Sequence, residues 1–438
     1  MQNNNSLWQF FASVKLALVT LFLIATTSII GTVIPQKEPF QFYVSQYGPK
    51  TAQLFAILDI PDMYNSWWFI SLLFLLGFNL VICSVDRFPG VWRQIKADGL
   101  QVGADRIRKM STQKSWRSDA PVSDSVLSIK ELLKKHGWQA AEKQTDNETV
   151  IFSQKGSWTR TGVYLVHSSI LVIFLGAIIG SLGGFKGSVS IPETMSRDKV
   201  VLYDSREIVD LGFEIRCNSF AIEFYENGMP KEYTSSLTVL ENGTEVLTRD
   251  IEVNSPLTYK GITFYQSSYE AYQDFVVTAV NTETGSRKTV VSPFQKQTEW
   301  PEENVRFGVI NAKVRGQSIV SIKIWFAGEN GPPSTMWLDE NSLTTLDENN
   351  RNYQVRVKQM YATGLQVAKD PGVWWVYIGC GLMLFGLYVA FFMSHRRIWV
   401  LVTASDKGSA MVMSGSANKN RPGFENVFDT LASELERT

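Results

Sequence analysis

Hydrophobic positions gather into four blocks, and between them the chain carries the mixed pattern of water-facing protein. The blocks are residues 14–34 (VKLALVTLFLIATTSIIGTVI), 66–85 (SWWFISLLFLLGFNLVICSV), 161–182 (TGVYLVHSSILVIFLGAIIGSL) and 373–393 (VWWVYIGCGLMLFGLYVAFFM). A helix needs roughly 20 predominantly apolar residues to cross a hydrocarbon core about 30 Å thick. Each block meets that length with no charged residue in its middle. The expected fold class is a polytopic α-helical membrane protein with four transmembrane helices embedded in a lipid bilayer. The first block is longer than a cleavable signal core and no A-x-A-like site follows it, so it reads as a retained helix.

The stretches between the blocks predict a loop at 35–65, a small α/β unit at 86–160, a large antiparallel β-rich domain at 183–372 and a tail at 394–438. In the small unit, SVLSIKELLKKHGW puts Val126, Ile129, Leu132 and Leu133 at helical spacing, with Ser123 or Ser125 positioned as a cap. WQAAEKQ and TVIFSQKG follow as two short strands about a turn at Asp146–Asn147, giving a helix on a hairpin. From 183 to 372 the pattern alternates as strands do. It is clear in EYTSSLTVLENGTEVLTRDIEV, around a hairpin turn at Asn242–Gly243, and again in FVVTAVNTET, SIVSIKIWFAG and YQVRVKQMY. Glu329-Asn330-Gly331-Pro332-Pro333 is a turn signal between two such runs. Many short strands with few helical patterns predict a sandwich or open barrel. In the tail, the Ser/Gly/Asn/Lys stretch at 404–420 is expected to be flexible, and FENVFDTLASELER is amphipathic enough for a short terminal helix.

Charge sets the orientation. The totals balance, 42 basic against 42 acidic residues, and point to no nucleic-acid partner. Their distribution is uneven. Arg87, Arg93, Lys96, Arg106, Arg108, Lys109, Lys114 and Arg117 follow the second block, Lys155 and Arg160 precede the third, and His395, Arg396 and Arg397 follow the fourth. The 35–65 loop has only Lys37 and Lys50, against Glu38, Asp59 and Asp62. Lys and Arg concentrate in cytoplasmic segments, so both termini and 86–160 are expected inside, with 35–65 and the β-rich domain outside. Trp67–Trp68 and Trp374–Trp375 then fall at outer helix ends, where indole favours the headgroup region. The expected location is a cell inner membrane; no transit-peptide pattern precedes the first block, which argues against a thylakoid.

Cys83, Cys217 and Cys380 include no C-x-x-C, which excludes dithiol exchange, cysteine zinc sites and covalent haem attachment. No nucleophile motif, acid–base pair or phosphate-binding glycine loop stands out, so the three histidines are the candidates for chemistry. His136, beside a lysine pair, reads as a solvated helix end. His167 lies about two turns inside the third block. An ionisable side chain at membrane depth is costly and faces a protein interior, a cavity or a bound group. Its neutral imidazole either bonds to Ser168, Ser169 or a neighbouring helix, or offers a ring nitrogen to a metal. His395, at the inner end of the fourth block, is either an interfacial partner of lipid phosphate or the helix C-terminus, or faces His167 in a bis-histidine haem site. Gly176, Gly180, Gly183 and Gly184 form a small-residue stripe suited to close approach of a partner, and Asn79 is a candidate interhelical contact.

Taken in order along the chain, these features resemble the ResB (CcsB) family of the System II pathway that matures c-type cytochromes. The resemblance rests on GTVIPQ at 31–36, the single intramembrane histidine in GVYLVHSSILVIFLGAIIG at 162–180, FYENGMPKEYTSSLTV at 224–239, VNSPLTYKGITFYQSSYE at 253–270, TGLQVAKDPGVWWVYIG at 363–379 and HRRIWV at 395–400. It covers nearly the whole chain. It implies a CcsA-type membrane partner with which haem, b-type while in transit and shared with CcsA, is moved outward and joined to the reduced thiols of apocytochrome c. The chain would be a subunit of a holocytochrome c synthase, non-catalytic alone, because the tryptophan-rich haem-handling segment of CcsA has no counterpart here. The family's intramembrane haem ligand falls on His167, and an inner-end ligand would fall on His395. The outer domain would hold apocytochrome or the partner. On the residues alone, two other classes stay open: a membrane-anchored sensor or scaffold with an outer β ligand-binding domain, and a haem b electron carrier using His167 and His395.

Overall fold

The computed structural model describes residues 5–145, 148–225, 229–315, 318–328, 332–348 and 351–437. The expected turn at Asp146–Asn147 and the Glu329–Gly331 part of the second turn signal lie outside them. The chain divides into two compact units, Met1–Ala177 with Val373–Thr438, and Ile178–Gly372.

The first unit holds the helices long and apolar enough to cross a membrane. They are the first span Val14–Val33, the second Trp67–Ile95, the third Gly162–Gly183 (whose end passes into the other unit) and the fourth Val373–Phe392. Large apolar side chains such as Phe74 and Phe392 are about three-quarters exposed, as lipid-facing positions require. The second helix outruns the apolar block 66–85, because hydropathy reports contact with lipid whereas the backbone ladder continues wherever residues tolerate it. Its Asn79 donates to the carbonyls of Phe11 (2.6 Å) and Ser13 (3.2 Å), where the chain breaks before the first span. This is the interhelical contact expected of a polar group at that depth.

The third span lies between two neighbours. Gly77 of the second span leaves room for Phe174 and Leu171. On the other side the fourth span runs antiparallel to it, with Gly162 against Ala390, Gly386 against Val166, and Gly379 against Ser169 and Ile173. A Cβ at Gly162 would stand 2.8 Å from the Ala390 backbone nitrogen, so glycine sets the approach. The stripe at Gly180 and Gly183 behaves differently from expectation: Asp370 and Pro371 of the same chain occupy that space.

Residues 35–65 fold rather than loop, as Phe40–Tyr47, Pro49–Ile57 and the 3-10 turns of Ile60–Asn65. Gln36 braces them: its amide donates to Ile34 (2.9 Å) and Ile60 (3.0 Å) and accepts from Met63 N (3.1 Å). Tyr43 donates to the Pro35 carbonyl at 2.6 Å, and Gly31 leaves the space that Met63 fills. The GTVIPQ stretch is thus a structural corner.

The small α/β unit contains more than a helix on a hairpin. Its antiparallel sheet runs Thr112–Ser118, Gly408–Ala417, Arg396–Ser405, Glu148–Lys155, Ala140–Gln144. The expectation of a flexible 404–420 stretch is therefore corrected: the tail supplies two inner strands, and Arg421–Glu436 is a helix. Ile398, Val400 and Val402 face the helices Val122–Lys135 and Arg421–Glu436. Trp399 and Leu401 face Ile107 and Phe152 on the opposite side. Both faces are covered, so five consecutive residues are buried and no alternation marks the strand. Neither serine caps Val122–Lys135, whose N-cap is Pro121; Ser125 instead hydrogen-bonds Ser409 at 2.8 Å.

The second unit is antiparallel β throughout its described strands. Its large sheet runs Arg287–Ser292, Ile262–Asn281, Arg351–Lys369, Phe185–Pro192, Ser196–Leu202, Ile208–Phe224, Pro230–Glu241, Thr244–Ile251. A second sheet runs Thr298–Trp300, Val305–Arg315, Ser318–Ala327, Ser334–Asp339. Phe275, Val277 and Val355 of the first pack on Phe307, Ile324 and Phe326 of the second, the sandwich the pattern predicts. Asn242 (φ 49°) and Gly243 (φ 78°) turn the expected hairpin, both in the left-handed region that a two-residue turn needs. Buried Glu193 accepts from Phe220 N (2.7 Å), Tyr361 N (3.1 Å) and Lys358, so its charge is fully partnered.

Candidate functional site

The third span presents different faces to its two neighbours. Val166, Ser169 and Ile173 meet the fourth span, whereas Tyr164, His167, Leu171 and Phe174 meet the second. His167 is partly buried, with Nδ1 2.9 Å from the hydroxyl of Ser84. Tyr164, one turn earlier, lies edge-on to the imidazole at 6.3 Å and packs on Phe88 at 5.1 Å. Ser169 turns back to its own helix, donating to the Val166 carbonyl at 2.7 Å, and Ser168 is exposed. Of the partners open to His167 in sequence, the neighbouring helix supplies the one that binds.

Nε2 of His167 has no hydrogen-bond partner among the described residues. A serine hydroxyl either donates or accepts. When Ser84 accepts the Nδ1 proton, Nε2 carries the lone pair, and the hydrogen bond fixes both tautomer and ring direction. Arg87 lies near enough for its charge to act on His167 and Tyr164. Among the described residues no group of three or more His, Cys, Asp or Glu could hold a metal ion. A bare ion is poorly served by a single imidazole. An iron porphyrin, whose ring already supplies four nitrogens, asks the protein only for an axial ligand, and the His167 donor fits that need.

His395 is built for another task. It is 1% exposed. Arg160 Nε donates to its Nδ1 at 2.8 Å, which leaves the proton on Nε2 to be given to Gln154 Oε1 at 2.9 Å. Its backbone N–H donates to Asn418 Oδ1 at 2.8 Å. Burial, then the charges of Arg160 and Arg397, push its pKa down to about 4. With both ring nitrogens engaged, no lone pair is left for iron. His395 also sits level with Arg160, about 10 Å along the helix axis from His167, which faces the second span. The structure therefore does not bring together the two histidines considered as a facing pair from sequence. His136 bonds Glu434 at 2.9 Å on the surface of the small unit, a helix-end role.

The sequence does not single out Ser84 or Gln154, and it marks Arg160 only as a basic residue before the third span, not as the partner of His395. A serine in an apolar helix is common enough to carry no signal, and Gln154 lies within an ordinary strand.

Comparison with known proteins bears on the whole chain. The ResB-like family profile matches residues 14–358 and 317–429. A cytochrome c biogenesis protein CcsB of Synechococcus sp. (strain JA-3-3Ab) is 28% identical, covering 97% of this chain and 88% of its own length. The protein of the same name from Prochlorococcus marinus (strain NATL1A) is 28% identical over 100% of both chains. A solved cytochrome c haem lyase, CcmF, aligns at TM-score 0.26 and 9% identity, covering 81% of this chain and 44% of its own, too slight a likeness to bear on the fold. With a profile match that takes in the spans, both soluble parts and His167, the chain belongs to the ResB-like family.

Proposed function

We propose that this chain is a cytochrome c biogenesis subunit that acts with a CcsA-type membrane partner to carry haem outward and present it to apocytochrome c. The relatives bear the name cytochrome c biogenesis protein CcsB. The observation that carries the reading is His167: an imidazole at membrane depth with Nδ1 held by Ser84 and Nε2 unpartnered among the described residues.

His167 contributes one axial ligand through Nε2, and the opposite position falls to the partner. Ser84 accepts the Nδ1 proton, keeps Nε2 unprotonated and strengthens it as a donor. Haem, as cargo, supplies the iron and the vinyl groups that become thioethers. The chain has no C-x-x-C with which to oxidise the apocytochrome thiols that this bond requires reduced. The Lys and Arg distribution supports both termini and the small unit on the cytoplasmic side of an inner membrane, with the large β unit outside as the docking surface.

The test is to co-express the chain with a CcsA-type partner and purify the pair. Haem absorbance per protein and c-type cytochrome formation are then measured. His167→Ala should reduce both to background while the pair still purifies together. Wild-type haem content and wild-type cytochrome c formation in that variant would remove the ligand role.

A further inference from the structure

Three arginines converge at the edge of the small unit, where the third span begins and the fourth ends. Arg160 is aimed by two bonds, Nε to His395 Nδ1 (2.8 Å) and Nη1 to Gln94 Oε1 (2.7 Å). Arg397 is only partly exposed, its guanidinium over the Trp399 ring at 5.2 Å. It pairs across the sheet with Gln154, the residue that takes the His395 Nε2 proton. Arg106 comes from the short helix Ala104–Ile107, which covers the same sheet face through Ile107. The three are close enough for burial and the charges of Arg160 and Arg106 to hold the Arg397 pKa below its ordinary range.

Among the described residues, none of these arginines forms an ion pair with a carboxylate. The imidazole among them is neutral at pH 7 and contributes no negative charge. Like charges gathered without a counter-charge repel, more so where water is thinned by burial. Arg160 is held by directed hydrogen bonds and Arg397 by ring stacking rather than by a counter-charge, an arrangement suited to an oxyanion. Guanidinium forks match phosphate oxygens in pairs. Its level identifies the source: Trp158 and Trp92, 46% and 44% exposed, lie on the same end of the spans, where indole marks the headgroup layer.

We propose that Arg106, Arg160 and Arg397 form a binding site for the phosphate of a phospholipid headgroup. The site clamps the ends of the third and fourth spans to the small unit through one bound lipid. It is independent of the haem reading, since none of its groups touches His167.

The experiment uses the full-length protein, stripped of lipid in mild detergent and titrated with phosphatidylglycerol, diacylglycerol or inorganic phosphate, with binding counted by native mass spectrometry. Wild type should take up one phosphatidylglycerol saturably and no diacylglycerol at the same concentration. Arg397→Gln should bind about tenfold more weakly, and Arg397→Lys, which keeps the charge but loses the fork, should fall between. Arg106→Gln, at an exposed position, serves should Arg397→Gln fail to fold. Folded variants that bind phosphatidylglycerol as wild type does would overturn the proposal, as would equal binding of diacylglycerol. Inorganic phosphate binding as tightly as the lipid would overturn the lipid as its source.

Discussion

Ser84 and Arg160 give two histidines opposite characters. At His167 the partner is a neutral hydroxyl, and Nε2 has no hydrogen-bond partner among the described residues. Ser84→Ala removes the group that orients the ring, and haem retained on purification with the partner is expected to fall roughly tenfold, whereas Ser84→Thr keeps most of it. At His395 a cationic donor holds Nδ1, so the ring must stay neutral to hold both bonds. Its folded pKa of about 4 lies below the ordinary 6.5, so the unfolded chain binds a proton that the folded chain refuses. Stability is full above pH 6.5 and declines as pH falls toward 4, by on the order of 3 kcal/mol. A melting midpoint that drops over that interval, and drops much less in His395→Asn, is the expected result. Equal pH slopes in the two proteins would exclude His395 as the cause.

At the level of elements, glycines show why neighbouring positions in one helix are unequal. Gly386 lies against the Val166 backbone nitrogen, with an added Cβ only 2.9 Å away, whereas Gly381 faces open space. Gly386→Leu is expected to separate the third and fourth spans and lower the melting midpoint by several degrees, through overpacking of about 1–3 kcal/mol. Gly381→Leu should leave it unchanged, and equal midpoints for both variants would contradict the packing described. The spans themselves were legible from hydropathy, because lipid constrains every outward residue in the same way. The Asn242–Gly243 hairpin was legible because left-handed φ values restrict the turn to few residue types. The strand Arg396–Ser405 was not. Its buried run of Ile398 to Val402 is short, and its partner strand Gly408–Ala417 is rich in Ser, Gly and Ala, which resemble a linker until Phe424 and Phe428 pack over Gly415.

For the molecule as a whole, the proposed orientation has a direct chemical test. Cys83 and Cys217 are buried, Cys380 lies in the fourth span, and burial together with Glu193 pushes the Cys217 thiol up to about 12, out of reach of thiol reagents near neutral pH. Native cysteines should therefore give little background. On intact cells a membrane-impermeant maleimide is expected to label Val246→Cys in the large β unit, and Asp406→Cys in the small unit only after lysis. Labelling of Asp406→Cys without lysis would reverse the orientation.

Local composition was enough to determine four spans, a β-rich unit and one imidazole at membrane depth, since each depends on residue type and spacing within a short window. The partners of that imidazole, the neutral clamp at His395, the strands of the tail and the convergence of Arg106, Arg160 and Arg397 were decided only by the tertiary structure. The separations explain why: Ser84 meets His167 across 83 positions, Arg160 meets His395 across 235, and Trp399 donates to the Gly99 carbonyl across 300. A hydrogen bond depends on where two side chains end in space, and no periodicity within a helix or strand carries that information.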